Sequence, residues 1–381
     1  MCAARPDTLD TMDAAVDARQ PVDSELAVVF RGDGEPKTPA GLVESLADIE
    51  SQGGLQADSY SLGGTVEKLE QTVARMLGKE AAAFMPTGTL ANHLAIRKLC
   101  GSKPRAVVQE QSHLYNDTGD CVTQLSNINL VPLAKDQAYF GLDELRLAVD
   151  RSETGRVANP TGAVMIESPV RRQAGRIMPY DEMAAVTSFC GEKGIATHLD
   201  GARLYMMSAA TGISAETYAA LFDTAYVSLY KYFGAPYGGI LAGTSELIEG
   251  LYHDRRMFGG GLASAYLSAA LALKGIEGFE ARFGEAMSQA AELFERLNAL
   301  PGLHVGRYEN GSNIFPVELD ARVDFERFAS ALKARWVFVY PGETEPGRIH
   351  LTVNTTVLRQ SNDDLFEAFE YALSRGVTSR A

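Results

Sequence analysis

Short, uninterrupted apolar runs separated by helical stretches dominate the chain between residues 81 and 243. Ala81–Met85, Ala106–Gln109, Ala163–Glu167, Ala196–Asp200, Ala225–Leu229 and Gly239–Gly243 each have the length of a strand. A strand that is apolar throughout must be covered on both faces, as in the parallel sheets of α/β proteins. Helical periodicity fills the intervals, in Pro39–Gln52, in Tyr180–Gly191 and in Thr65–Leu77, where Val66, Leu69, Val73 and Leu77 share one face. The alternation predicts an α/β fold with a mostly parallel central sheet between layers of helices. After Gly259-Gly260-Gly261 the texture changes to a long helical stretch, about Ser264–Leu300, and then to hairpin-like strands and helices. That change predicts a smaller α+β C-terminal domain over 276–381, following an N-terminal arm and large domain over 24–275.

With 381 residues and 46% hydrophobic content, the chain can bury a large core. Its 35 Lys and Arg against 49 Asp and Glu give a net charge of −14, the wrong sign for a nucleic-acid surface. No apolar run reaches the roughly 18 residues of a membrane helix, so no membrane partner is expected. The first 23 residues are polar and acidic, without the basic and apolar parts of a secretory signal, and predict a disordered leader. Cys2, Cys100, Cys121 and Cys190 have no paired or CxxC spacing. They predict reduced thiols in a cytoplasmic protein rather than a disulfide or metal frame.

Chemistry gathers where the apolar runs end. His198-Leu199-Asp200-Gly201-Ala202-Arg203 closes one run. Lys231 follows Asp200 by 31 residues, within Val227-Ser228-Leu229-Tyr230-Lys231-Tyr232-Phe233-Gly234-Ala235-Pro236-Tyr237-Gly238-Gly239. A lysine in so apolar a setting is costly as a free cation, so it neutralises or forms an imine. An acid such as Asp200 can protonate a ring nitrogen. These are the two groups that pyridoxal phosphate requires of a protein, the competing reading being a buried ion pair beside a glycine-rich turn.

Met85-Pro86-Thr87-Gly88-Thr89 joins a strand to a helix over Leu90–Leu99. Gly88 permits close backbone approach, amides at the helix start favour an anion, and Thr89 adds a hydroxyl. His113, in Gln111-Ser112-His113-Leu114-Tyr115-Asn116, titrates near neutrality and suits base or acid work, and Tyr115 is a candidate to line the same pocket. His198 shares a strand face with Asp200. It either orients that acid or is a satisfied core histidine.

At these residues the chain resembles the threonine aldolase family of fold-type-I pyridoxal-phosphate enzymes, also called the β-eliminating lyase group. The resemblance runs from about Leu26 to the C-terminus. It is densest in Gly78-Lys79-Glu80-Ala81-Ala82, in Pro86-Thr87-Gly88-Thr89-Leu90-Ala91-Asn92 and around Asp200 and Lys231, and continues in Phe258-Gly259-Gly260-Gly261. It implies that Gly88 and Thr89 hold the cofactor phosphate, His113 stacks on the pyridine ring, Asp200 pairs with the ring nitrogen and Lys231 is the covalent anchor. Arg203 would reach the ring hydroxyl or the substrate carboxylate, and Arg256 a phosphate across a dimer interface. The implied activity is cleavage of Cα–Cβ in a β-hydroxy-α-amino acid to glycine and an aldehyde, by a homodimer or homotetramer. Alternatives keep the cofactor but perform β-elimination, racemisation or glycine transfer to another aldehyde. A non-catalytic structural homologue is the alternative outside enzymes.

Three departures fall at the substrate end. Arg31-Gly32-Asp33 stands where the family has Arg-Ser-Asp, removing a serine that helps hold the substrate carboxylate. In Glu167-Ser168-Pro169-Val170-Arg171-Arg172, Val170 takes the place of a histidine implicated in handling the β-hydroxyl. Arg171 and Arg172 then either bind an anionic group or face water. In Arg348-Ile349-His350-Leu351-Thr352-Val353-Asn354, the family's carboxylate-binding arginine matches Arg348 or is replaced by His350, which shares its side of a strand. Intact cofactor machinery with an altered substrate end predicts that threonine is a poor substrate or none.

Overall fold

The computed structural model describes residues 25–342 and 348–377; the expected leader over 1–23 lies outside them. Seven strands form the large sheet, in the spatial order Ala81–Met85, Gly239–Gly243, Thr224–Ser228, Ala196–Asp200, Thr161–Glu167, Arg105–Gln109 and Asn129–Leu133. Gly239–Gly243 runs antiparallel to both neighbours, and the other pairings are parallel. The sheet is buried on both faces, as continuous apolar strands require. Val107, Val164, Ile166 and Leu199 face one core, while Ala106, Val108, Ala163 and Met165 face another beneath the helix Gly88–Cys100. Asn129–Leu133 is the strand that the apolar pattern does not reveal. It lies at the sheet edge, half-exposed and carrying Pro132, where pairing on one side needs no apolar run.

The long helical stretch after Gly261 divides into Tyr266–Ile276 and Phe279–Leu297. Gly278, at φ +65°, turns the chain between them, and because the apolar period resumes at once the break is hidden in the pattern. Phe279–Leu297 joins the two parts of the molecule. Its Phe279 and Phe283 enter the large core, and its Ala286, Ala290, Leu293, Phe294 and Leu297 enter a second core. That second core lies against a four-stranded antiparallel sheet (Tyr340–Pro341, Ile349–Thr352, Ile314–Leu319, Leu303–Val305) and the helices Phe325–Lys333 and Asn362–Gly376.

The N-terminal arm, grouped by the sequence with the large domain, packs on the smaller unit. Val28–Val29 pairs in parallel with Val337–Phe338, and Val28 and Phe30 are buried in the second core. Asn354 fixes the arm through Nδ2, which donates to the carbonyls of Val29 (2.9 Å), Arg31 (3.2 Å) and Gly32 (3.1 Å). Thr356 Oγ1 accepts from the Val29 amide at 2.9 Å and donates to Asn354 Oδ1 at 2.6 Å. Beyond this clamp the arm crosses to the large unit at Gly34. A Cβ there would lie 2.5 Å from the Lys231 carbonyl oxygen and 2.8 Å from the Tyr232 Cα, so any larger residue pushes the arm away.

Asn354→Ala removes a side-chain donor shared by three arm carbonyls, that of Val29 being buried. Urea unfolding should show a loss of about 2 kcal/mol. A loss below roughly 0.5 kcal/mol would mean that apolar contacts alone hold the arm.

Candidate active site

A cavity of about 550 Å³ lies at the carboxyl edge of the large sheet, where adjacent parallel strands end and ligands of α/β proteins bind. His113 follows the strand ending at Gln109, Glu167 and Asp200 close the next two, and Lys231 follows the strand ending at Ser228; all four line the cavity. Thr87, Gly88 and Thr89 enter from the far side. Thr87 caps the helix, accepting from the Leu90 amide at 3.1 Å, which leaves the amides of Gly88 and Thr89 for a ligand. Gly88 is required by close approach, since a Cβ there would sit 2.6 Å from the hydroxyl of buried Tyr226.

Lys231 is held by its neighbours in sequence. Tyr232 and Phe233 are buried and pack on each other (ring centroids 4.6 Å apart) and on Phe279 (5.5 and 5.1 Å). Among the described residues the Lys231 Nζ makes no ion pair or hydrogen bond, lying 5.7 Å from the centre of the Tyr230 ring. Burial, and then the Arg203 cation, lower its pKa to about 8 against the opposing pull of Asp200 and Asp33. Such an amine is still mostly protonated at physiological pH, but its neutral, nucleophilic fraction is far larger than that of an ordinary lysine.

Asp200 is 1% exposed and is reached by a chain of polar groups. Asn92 Nδ2 donates to Asp200 Oδ2 at 2.6 Å, and the Ala202 amide to Oδ1 at 3.1 Å. His198 Nε2 lies 2.9 Å from Asn92 Oδ1, and its Nδ1 lies 2.8 Å from Thr224 Oγ1. A carboxylate can only accept, so the Asn92 amide group must face it and Asn92 Oδ1 must accept from His198. The proton of neutral His198 is therefore on Nε2, and Thr224 donates to Nδ1. Burial drives the His198 pKa down to about 4, outweighing the attraction of Asp200. His198 thus acts on Asp200 at one remove, through Asn92, a residue whose role the sequence did not disclose.

Glu167 sits beside Asp200 in strand register and is 3% exposed. Burial, then the Asp200 charge, raise its pKa. Its oxygens accept from the His113 amide at 2.5 Å and the Arg171 amide at 3.0 Å, so one carboxyl ties together the loops carrying both residues. Asp117, also unforeseen, accepts from Arg171 Nη2 at 2.7 Å and Arg172 Nη2 at 2.5 Å. Partial burial would raise its pKa, but the two guanidiniums prevail and hold it at about 2. Asp117 Oδ2 also lies 3.3 Å from His113 Nδ1, which puts the ring proton on Nδ1 and leaves Nε2 as the basic atom.

Arg203 Nε pairs with Asp33 of the arm at 2.8 Å. Burial opposes the charge, but Asp33 outweighs it and raises the pKa. Arg203 and Arg171 also line a second cavity of about 320 Å³, whose other walls include Arg31, Asp33, Tyr340 and His350. His350 Nε2 lies 2.7 Å from the Tyr308 hydroxyl. Of the two candidates on that strand, His350 lines a cavity, whereas Arg348 is exposed and lines neither. Tyr115 is also exposed and lines neither. Exposed Arg256 lies outside both cavities with its guanidinium 4.1 Å from the centre of the Tyr60 ring. Arg255 is the buried member of that pair, donating to the carbonyls of Phe84 (2.7 Å) and Ser61 (3.2 Å).

A half-buried lysine without a polar partner among the described residues, a carboxylate lining the same cavity and helix-start amides for an anion fit pyridoxal phosphate. Ser228 adds a buried hydroxyl without a hydrogen-bond partner in good geometry, three residues before Lys231. The fold and this donor set define a fold-type-I pyridoxal-phosphate enzyme. Residues 47–319 match the family model of the β-eliminating lyases, and the chain belongs to that family. It is 29% identical over 311 residues to the low-specificity L-threonine aldolase of Saccharomyces cerevisiae, covering 80% of this chain and 78% of that one. The low-specificity L-threonine aldolase of Candida albicans is 30% identical, over 57% of this chain and 58% of its own length. A Listeria monocytogenes structure, provisionally named an L-allo-threonine aldolase, superposes with a TM-score of 0.75 and 27% identity, covering 91% of this chain and 96% of that one.

The depressed His198 pKa gives a stability signature. Unfolded His198 binds a proton near pH 6.5 and folded His198 only near 4, so its contribution is complete above 6.5 and is lost as pH falls toward 4. Between pH 7 and 5 this group should cost about 2 kcal/mol. Urea unfolding of the wild type and His198→Gln at both pH values checks it; equal pH sensitivity in the two proteins would refute a neutral buried His198.

Proposed function

We infer that the chain is a pyridoxal-phosphate-dependent lyase that cleaves the Cα–Cβ bond of β-hydroxy-α-amino acids to glycine and an aldehyde. The observation that carries the reading is Lys231 and Asp200 opening on one cavity with the Thr87-Gly88-Thr89 helix start. When bound, pyridoxal phosphate supplies a carbonyl for the substrate amine and a ring that accepts electrons from the bond broken at Cα.

The chain's own residues do the rest. The amides of Gly88 and Thr89 would hold the phosphate, Asp200 would accept from the ring nitrogen, and His113 would lie against the ring. Arg203 takes the substrate α-carboxylate: its terminal nitrogens remain available because Asp33 occupies Nε. His113 Nε2, left basic by the contact of Nδ1 with Asp117, accepts the β-hydroxyl proton. Lys231, with a pKa of about 8, holds or delivers a proton at Cα. Val170, where the family pattern has a histidine, is fully buried and takes no part in this proton traffic.

Further readings concern assembly and setting. Arg256 lies on the surface with the exposed Tyr60, Leu62 and Met257, an apolar patch suited to a homodimer or homotetramer in which Arg256 reaches a neighbour's phosphate. The buried free thiols of Cys100, Cys121 and Cys190 suit a reducing, cytoplasmic setting. Among the described residues no helix is long and apolar enough to cross a membrane.

Lys231→Ala should reduce glycine release from β-hydroxy amino acids by several powers of ten, the usual loss on removing a covalent catalytic group. A variant retaining more than a few per cent of the wild-type rate sinks the assignment. Light scattering should find a dimer or larger species; a fully active monomer counts against the assembly.

A further inference from the structure

We propose that the substrates of this site carry a second carboxylate on the side chain, and that Arg171 is the residue that recognises it. The inference rests on the lyase reading above and deepens it.

The second cavity of about 320 Å³ gives the side chain more room than a methyl group needs. Among the described residues only Arg171 and Arg203 line both it and the cofactor cavity. These two guanidiniums therefore stand at the junction, where a substrate held through its amine must place its α-carboxylate and its side chain. Arg203 is matched by Asp33 and assigned to the α-carboxylate. Asp117 is a single carboxylate shared between Arg171, at the junction, and Arg172, which lines neither cavity, so this cluster carries one more positive charge than Asp117 offsets. In a chain of net charge −14 such a local excess does not come from composition.

Arg171 is also fixed in place. Its amide is held by Glu167 Oε1 at 3.0 Å, and its Nη2 by Asp117 at 2.7 Å. The remaining edge of its planar fork matches a carboxylate in two-pronged geometry. An apolar side chain in the same place would dehydrate that edge without replacing its hydrogen bonds. The neighbouring Val170, fully buried, offers the pocket nothing polar.

For 3-hydroxyaspartate the chemistry balances without a further reactant. The Cα–Cβ bond breaks, the β-hydroxyl proton passes to His113, the β-carbon becomes the aldehyde of glyoxylate, and Cα gains a proton to give glycine.

Binding and cleavage are tested separately on the holoenzyme. L-Aspartate and L-2-aminobutyrate are 3-hydroxyaspartate and threonine without the β-hydroxyl, and each is titrated against the visible absorbance of the bound cofactor. Aspartate should bind at least about tenfold more tightly, Arg171→Gln should bring the two affinities within about twofold, and Arg171→Lys should fall between. Equal or tighter binding of 2-aminobutyrate by the wild type overturns the proposal, and this comparison needs no variant to fold. A parallel weakening of both ligands in Arg171→Gln overturns it as well. Glycine and glyoxylate released in equal amounts from 3-hydroxyaspartate support both readings. An aspartate preference with no glycine from either β-hydroxy acid keeps the carboxylate recognition and removes the lyase; threonine cleavage without an aspartate preference does the reverse.

Discussion

The constraint on which the site depends is a carboxylate, Asp200, placed at the end of a central strand with 1% of its surface exposed. Such a group is held only if donors meet its oxygens, because an isolated buried charge costs several kcal/mol. The helix Gly88–Cys100 answers with Asn92, the turn after the strand with the Ala202 amide, and the next strand with Thr224, acting through His198. The same helix presents its first-turn amides to the cavity. The element that satisfies the acid therefore also makes the anion site, and the distance between the two is set by a rigid helix rather than a loop.

The lysine depends on a different force. Among the described residues nothing polar holds the Lys231 Nζ; the flanking Tyr232 and Phe233 are locked into an aromatic cluster with Tyr205, Phe279 and Phe283, which fixes the backbone. Phe279 and Phe283 belong to the helix that continues into the second core. Packing between the two units is thus coupled to the position of Lys231. The arm adds a second tie, since Gly34 rests on the Lys231 backbone and Asp33 pairs with Arg203. The site belongs to the junction of the two units as much as to the sheet.

Charge is distributed unevenly along the cavity. At the cofactor end Lys231 faces Asp200 and Glu167, and the raised pKa of Glu167 and lowered pKa of Lys231 both express the shortage of solvent there. At the substrate end the carboxylates of Asp33 and Asp117 are already engaged by guanidiniums. The aldehyde-lyase reading draws on the first arrangement, and the choice of side chain on the second.

Much of this was legible in the sequence. Strands buried on both faces leave continuous apolar runs, so six of the seven strands of the large sheet could be read directly, and the edge strand Asn129–Leu133 escaped because one-sided pairing leaves no such run. Asp200, Lys231 and the Thr87-Gly88-Thr89 turn stood out because each ends or begins an apolar element. Asn92, Glu167, Asp117 and Tyr226 did not, since a polar side chain in a helix or at a strand end gives no periodic signal of the partner it meets across the fold. Tyr115, a candidate by local sequence, and Arg256 and Arg348, candidates by the family resemblance, lie outside both cavities. By itself the sequence determined the layered α/β order and the cofactor chemistry, because both are encoded in runs of adjacent residues. Tertiary structure alone decided that the arm joins the smaller unit, that Asn92 stands between His198 and Asp200, and that two arginines share Asp117. Those facts rest on contacts between residues far apart in the chain, whose pairing is set by packing and desolvation rather than by local pattern.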